Sequence, residues 1–215
     1  MAASDYVTDV QGLYVAYYGR WADVSGIDYW TRVVDADGGD LSSMVNQFGN
    51  SSEYENTYAE YLDDQGEIDD PSGIVTQLFQ NMFDRAPDAE GLQFYVDALN
   101  SGESSLAEIA LDIFNGAQNN DKAILDNKVT VAEYATEELE ATGASYAGAD
   151  DIAVAQSTLN DVTADGRSVV DAENTVDSTY GGGGETFTLT TSGGVVDGTD
   201  GDDTFIAPSE TLDVS

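Results

Sequence analysis

A stretch of about twenty residues occurs twice in the chain, and the two copies align without gaps at a constant offset of 65 positions. Leu13 and Leu78 occupy one matched apolar position, and Arg20 and Arg85 occupy one matched basic position. Further apolar positions downstream keep the same offset. A duplicated unit is typical of stacked helical architectures, because each copy buries its apolar face against the next. The sequence therefore predicts an internal duplication built from helices.

Apolar residues recur at helical spacing in both copies and in the segment after them. Gly19 is placed to end the first helix, and Asp23 and Asp88 are placed to cap the helices that follow the two matched turns. Three further helix starts carry capping signatures: Ser52 with Glu55, Asp70 before Pro71, and Ser105 with Glu108. We predict a mainly α fold, a duplicated multi-helix domain of about seven to nine helices, followed by a short β-rich C-terminal segment.

The predicted organisation has four parts. Residues 1–66 form the first helical repeat, residues 67–145 the second repeat with a long helix over about 121–140, and residues 146–180 additional helices. Residues 181–215 begin with a glycine hinge and then alternate as strands do, at 186–190 and at 204–206. This last segment is too short to bury its own core. We expect it to be the start of a β-rich region, either docked on the helices or continued in a longer parent chain.

The charge balance excludes several partners. The chain has 42 acidic and 6 basic residues, a formal net charge of -36. Nucleic-acid binding needs basic side chains that displace counterions from phosphate, and docking on anionic lipid needs them too. So many carboxylates repel one another in the compact state. High salt or bound divalent cations would screen them, and Ca2+ suits carboxylate oxygens best. The alternative, a solvated acidic surface of a marine or halophilic protein, is compatible with calcium binding.

The sequence contains no cysteine and no histidine. Their absence excludes disulfides and the histidine-dependent nucleophilic triads. The N-terminus lacks the basic and apolar regions of a signal peptide, and no apolar run is long enough to span a membrane. No nucleophile motif or phosphate-binding loop occurs, and no glycosidase carboxylate pair can be singled out among the acidic residues. We expect a protein that is not an enzyme, either cytoplasmic or exported with its N-terminus intact.

Acidic side chains cluster in three segments that are candidates for calcium binding. The first is a glycine-containing loop that differs from an EF-hand, because Gly39 offers no side-chain ligand and Asn46 stands where the bidentate glutamate would be. The alternative for this loop is a polar connection in which Asp40 caps a helix. The candidate ligands are Asp35, Asp37 and Asp40 in that loop, Asp63, Asp64, Glu67, Asp69 and Asp70 in a second loop, and Asp197, Asp200, Asp202 and Asp203 near the C-terminus.

The matched turns supply the candidate carbohydrate-binding residues. The structural interpretation of Arg20 and Arg85 is that each pairs with the aspartate three positions on, or with helix C-terminal carbonyls. The functional alternative is contact with anionic groups of a surface polysaccharide. Trp21 stands where the second copy has Ala86, so its indole need not be buried and could stack on a sugar. Tyr18, which periodicity places in the core, completes this candidate set.

The repeated motif Gly/Asp-Arg-x-x-Asp-x-x-Gly, followed by Ile/Leu-x-Tyr/Phe-Trp/Tyr, resembles a helical module known only as a domain of unknown function. That module occurs in large bacterial surface and secreted proteins. Residues 127–134 resemble the helix that follows it in those proteins. Residues 198–205 resemble the entry to calcium-binding RTX repeats, which fold as a calcium-filled β-roll. This chain departs from that pattern, because it has one such unit instead of an array.

The order of these segments is similar to the N-terminal part of RTX-type surface-layer (S-layer) proteins. The resemblance implies a helical domain that anchors a self-assembling lattice to cell-surface lipopolysaccharide or polysaccharide, with Ca2+ as cofactor and type I secretion as export route. The implied partners are copies of the chain itself and the surface glycan. The implied location is the extracellular surface of a marine or salt-adapted Gram-negative bacterium. The alternative is a targeting or spacer module of a type I-secreted RTX adhesin or extracellular enzyme.

Overall fold

The computed structural model describes residues 2–181 and the backbone of two short strands. Within residues 2–181 there are ten α-helices and two 3-10 turns, Ala3–Tyr6 before α1 and Ala59–Tyr61 between α4 and α5. The helices are α1 Val7–Tyr18, α2 Val24–Ala36, α3 Ser42–Phe48, α4 Ser52–Thr57, α5 Pro71–Phe83, α6 Ala89–Ser101, α7 Leu106–Gly116, α8 Asn119–Thr142, α9 Ala149–Asn160 and α10 Gly166–Tyr180.

The predicted mainly α fold is confirmed, and the helix starts and stops explain why these residues form it. Gly19 ends α1 in the left-handed region at φ 64°, where it donates its N–H to Val15. Asp23 and Asp88 accept hydrogen bonds from Gly26 N and Gly91 N and so cap α2 and α6. Helices α2 and α6 therefore begin at positions 65 residues apart, and the starts of the other three matched helix pairs lie within two residues of that offset.

Several predicted helix ends and lengths are wrong. The cap of α4 is Ser51 instead of Ser52, since it is the Ser51 hydroxyl that accepts from Tyr54 N at 3.0 Å. Asp40 does not cap α3. Its carboxylate accepts from the N–H of Ser42, the first residue of α3, at 2.9 Å, and Leu41, between them, takes the cap position. The described part also has more helices than predicted, ten instead of seven to nine.

Helix α1 lies at the centre of the fold. All of its residues from Val10 to Tyr18 are buried, and it packs against α5, α7 and α8. Gly12 permits the close approach of α7, because a Cβ there would lie 2.4 Å from the ring of Phe114. Helix α10 packs along α8 and closes the core on the other side. One apolar cluster thus runs through both repeats and the added helices.

The predicted β-rich C-terminal segment is not supported. Two strands, β1 Thr186–Thr188 and β2 Thr204–Ile206, pair in parallel with Phe187 opposite Phe205. Six strand residues do not make the predicted β-rich segment, and the candidate ligands Asp197, Asp200, Asp202 and Asp203 lie outside the described residues. In the part of the chain that the structure describes, no helix combines the length and apolar character needed to cross a membrane.

Candidate functional site

The first of the matched turns holds a buried arginine. Arg20 donates from Nε and Nη2 to the carboxylate of Glu53 at 2.6 and 2.7 Å, and from Nη1 to Trp21 O at 2.7 Å. Its guanidinium carbon lies 4.9 Å from the ring centre of Tyr14 and 5.6 Å from that of Tyr18. The predicted pairing of this arginine with the aspartate three positions on is wrong, because that carboxylate caps α2.

The second turn repeats this geometry at the surface. Arg85 donates to both carboxylate oxygens of Asp121, from Nε at 3.0 Å and from Nη2 at 2.5 Å, and to Ala86 O at 2.9 Å. The rings of Phe79 and Phe83 lie under its guanidinium. The Arg85 side chain is 45% exposed, whereas that of Arg20 is 7% exposed. Only the second turn therefore presents its arginine to a ligand in solution.

The structure places Trp21, the candidate for stacking on a sugar, in the core. Its side chain is fully buried, and its ring centre lies 5.8 Å from that of Tyr146 and 6.2 Å from that of Tyr180. Tyr18 is buried as well, and its hydroxyl contacts Ser51 Oγ at 2.9 Å. The structure thus brings three predicted carbohydrate ligands together, but inside the core. In this conformation neither of these two aromatic rings can stack on a sugar.

The acidic loop after α2 does not form a metal cluster. Asp37 accepts from Ser43 Oγ at 2.7 Å, and Asp40 is turned toward Ser42. In the second loop, Asp63 accepts from two backbone amides, and Asp70 caps α5 by accepting from Gly73 N. Among residues 2–181, no group of three or more acidic side chains converges to hold a metal ion. Calcium binding stays a prediction.

A polar cleft that the sequence analysis missed lies where the C-terminal ends of α1 and α5 meet α9. It has a volume of about 520 Å3, and we call it the carboxamide cleft because five of its seven lining residues are asparagine or glutamine. Its lining consists of Gly19, Gln77, Gln80, Asn81, Asp84, Gln156 and Asn160. Apart from Asp84 and Gly19, the lining consists of neutral side chains that both donate and accept hydrogen bonds.

Internal hydrogen bonds fix three of these carboxamides. Gln77 Nε2 donates to Asn81 Oδ1 at 2.8 Å, Asn81 Nδ2 donates to Ala16 O at 3.2 Å, and Gln156 Nε2 donates to Tyr18 O at 3.0 Å. The exposed side chains of Gln80 and Asn160 have no hydrogen-bond partner among the described residues. The cleft therefore combines a preorganised wall with two carboxamides that are free to bind a ligand.

A buried lysine supports the floor of the cleft. Lys128 is fully buried and donates from Nζ to Asn81 O at 2.9 Å and to Asp84 Oδ1 at 2.7 Å. Burial lowers the pKa of Lys128, and the hydrogen bond to Asp84 opposes that shift. Asp84 holds the left-handed position that ends α5, at φ 55°, and matches Gly19 at the end of α1. Gly19 and Asp84 are 65 residues apart in the sequence, and both line the cleft. This matched pair of helix ends was the sequence signal that could have located it.

The described part of the chain is mainly helical: α1–α4 match α5–α8, and α9 and α10 follow as added helices. A family model described as "Domain of unknown function (DUF4214)" matches residues 46–123, from the end of α3 to the start of α8. The chain is similar to that family over this segment, which begins in the first repeat and ends in the second. No curated protein and no solved structure matches the chain.

Proposed function

We propose that this chain is a non-enzymatic module that binds a cell-surface glycan and thereby anchors a surface layer built from further copies of the chain. The observation that carries the proposal is the carboxamide cleft, a space of about 520 Å3. Such a volume lies within the range of small-ligand sites. Carboxamides suit sugar hydroxyls, because each offers a donor and an acceptor at once.

Electrostatics favour a neutral sugar in the cleft. The one charged side chain of its lining, Asp84, is already paired with Lys128. With a net charge of -36, the whole chain repels an anionic polymer. Attachment to an anionic lipopolysaccharide would therefore need Ca2+ ions between the two, and the acidic loops before α3 and α5 are the described segments that would contribute carboxylates.

The test begins with the purified 215-residue chain on an array of neutral and anionic polysaccharides, followed by calorimetry with the strongest binder. Gln80→Ala and Asn160→Ala remove the two free carboxamides of the cleft without breaking a hydrogen bond between described residues. Each should weaken binding about fivefold, the value of one hydrogen bond. Asn100→Ala, an exposed carboxamide at the end of α6, is the matched control and should bind like the unmodified chain.

Two results separate the parts of the proposal. Unchanged affinity in the Gln80→Ala/Asn160→Ala double variant would refute glycan binding at the cleft. Binding to an anionic polysaccharide that persists after a chelator has removed calcium would refute the calcium bridge and leave the cleft in place. Electron microscopy of the assembled protein on cells then tests the lattice, which requires a periodic array.

A further inference from the structure

The hydroxyl of Tyr17 is buried without a partner. Its residue is 1% exposed, and Oη makes no hydrogen bond to any of the described residues. Burial raises the pKa of this hydroxyl, and the neighbouring tyrosines Tyr58 and Tyr18 raise it further, so it is a neutral O–H group at physiological pH. A buried polar group without a hydrogen bond costs about 1–3 kcal/mol. Such a group at the wall of a cavity is a sign that a ligand completes it.

Tyr17 lines a cavity of about 410 Å3 that is separate from the carboxamide cleft. We call it the Tyr17 pocket. It lies between the end of α3, Tyr54 of α4, residues 66–68, the end of α6 and the first turn of α7. The hydroxyl faces the side of Gly49, since a Cβ on Gly49 would lie 3.8 Å from Oη. Gly49 has no side chain that could accept a hydrogen bond from the hydroxyl or fill the space beside it.

The other polar groups of the Tyr17 pocket are placed to bind a ligand. The side chain of Asn46 makes no hydrogen bond to the described residues. Asn50 donates from Nδ2 to Asn46 O at 2.7 Å, and its amide oxygen accepts no hydrogen bond from the described residues. Leu106 and Ala107, the first two residues of the 11-residue helix α7, line the same wall, and their N–H groups have no carbonyl partner within the helix, whereas the N–H of Glu108 is taken by the Ser105 hydroxyl. These groups supply both donors and acceptors.

Charge and apolar contacts restrict the ligand further. The lining contains one carboxylate, Glu67, and no basic side chain. Glu67 would repel an anion. A metal ion is also disfavoured, because the pocket offers it one carboxylate and lies at the N-terminal, positive end of the α7 dipole. Apolar side chains such as Leu99 and Leu106 form the rest of the wall. A neutral molecule with hydroxyl groups and C–H faces matches this mixture.

We propose that the Tyr17 pocket binds a single neutral sugar unit, with the Tyr17 hydroxyl and the Asn46 carboxamide as its main polar contacts. This site is distinct from the carboxamide cleft, and it gives the module a second subsite for glycan. It rests on other residues than the proposed function does, so either one can fail alone.

The test measures binding of glucose, galactose and N-acetylglucosamine to the full chain by saturation-transfer NMR and calorimetry. At least one of them should bind saturably, and part of that binding should remain in the Gln80→Ala/Asn160→Ala variant, which isolates the Tyr17 pocket from the carboxamide cleft. Tyr17→Phe, which removes only the hydroxyl, should weaken that binding about fivefold, and Asn46→Ala should do the same. Tyr18→Phe is the matched control, because it removes a neighbouring buried hydroxyl that is already bonded to Ser51 and Phe48.

The stability of these variants separates binding from folding. Tyr17→Phe should unfold at the same temperature as the unmodified chain or higher, since it removes an unpaired polar group, whereas Tyr18→Phe should unfold at a lower temperature and keep its sugar affinity. No binding of any of the three sugars, or equal affinity in Tyr17→Phe, would overturn the proposal. Binding lost in Gln80→Ala but kept in Tyr17→Phe would also overturn it and would leave the carboxamide cleft as the sugar site.

Discussion

The two arginine turns form an internal pair for measuring what burial adds to an ion pair. In both turns the guanidinium bonds one carboxylate through two nitrogens and the next carbonyl through the third. We predict that Glu53→Gln reduces the free energy of unfolding far more than Asp121→Asn does. Each substitution keeps the size of its side chain, removes the charge and replaces one acceptor oxygen with an NH2 donor.

The expected magnitudes come from the exposure of the four side chains. Arg20 and Glu53 are 7% and 29% exposed, and removal of one partner from a buried pair costs about 3–5 kcal/mol. Because Glu53 is partly exposed and glutamine keeps one oxygen, we expect about 2–3 kcal/mol. Arg85 and Asp121 are 45% and 24% exposed, so Asp121→Asn should cost about 1 kcal/mol or less.

Burial and pairing act in opposite directions on Arg20. Burial lowers the pKa of its guanidinium, but the hydrogen bond and the charge of Glu53 outweigh that effect and raise the pKa above its ordinary value. Replacing Glu53 removes this effect, but the guanidinium stays charged because arginine is not deprotonated in proteins. The cost is then that of a buried cation without its anion. In an Arg20→Met/Glu53→Gln double variant this cost should largely disappear, because no unpaired charge is left in the core.

The assay is urea unfolding at pH 7, followed by far-ultraviolet circular dichroism. The slope of unfolding free energy against urea should stay constant while the midpoint falls. In thermal unfolding, Glu53→Gln should lower Tm by roughly 4–12 °C, because about 1 kcal/mol corresponds to roughly 2–4 °C at this chain length. Equal losses in Glu53→Gln and Asp121→Asn, or a loss below about 1 kcal/mol for Glu53→Gln, would refute the assignment of a buried structural role to the first pair.

Two further predictions concern charge. Burial raises the pKa of Asp23, but the hydrogen bonds from Ser25 and from Gly26 N and the charge of Arg20 lower it below its model-compound value of 3.8 overall. The ionised Asp23 carboxylate therefore stabilises the fold above about pH 3.8, and this stabilisation is lost as the pH falls through the folded pKa. Urea titrations at pH 2 to 7 should show that the stability difference between the unmodified chain and Asp23→Asn shrinks in acid. Raising NaCl from 0.01 to 1 M shortens the screening length from about 30 to about 3 Å. Because this weakens the repulsion among the carboxylates of a chain with net charge -36, calorimetry should show a rising Tm. A falling Tm would contradict this prediction.

The predictable parts of the fold are those that local chemistry fixes. Asp23 and Asp88 cap their helices, and Gly19 and Gly143 end theirs, because the relevant hydrogen bonds join residues within one helical turn. The capping box of Ser105 was predictable for the same reason. The cap of α4 was placed one residue too late because Ser51 and Ser52 are adjacent and both fit the local pattern.

The parts that could not be predicted depend on contacts between distant residues. Trp21 is buried by Tyr146 and Tyr180, which lie more than a hundred positions along the chain and have no counterpart in the repeat. The partner of Arg20 is Glu53 on another helix, so the nearby aspartate was a misleading choice. A difference between two copies of a motif indicates a different environment, and here that environment is the inside of the core.

The arginine pairs show that the two repeats conserve geometry more closely than sequence. The constant offset would place the partner of Arg85 at Gln118, yet the carboxylate comes from Asp121, in the first turn of α8, as Glu53 lies in the first turn of α4. An acidic residue there stabilises the positive end of its helix and pairs with the arginine at the same time. Glu53 in α4 and Asp121 in α8 both satisfy these two requirements, so both repeats have the ion pair although the two acidic residues do not align.

The added helices, and not the duplication, create the difference between the repeats. The segment after α8 and helix α10 cover the first turn through Tyr146 and Tyr180, and α9 supplies Gln156 and Asn160 to the carboxamide cleft. Gln156 and Asn160 lie outside residues 46–123, the segment similar to the family of unknown function. A protein that shares only that segment would keep the Arg85 turn but lack a wall of the cleft. Binding at the cleft should therefore be a property of chains that carry α9 after the repeats, and the family match alone does not predict it.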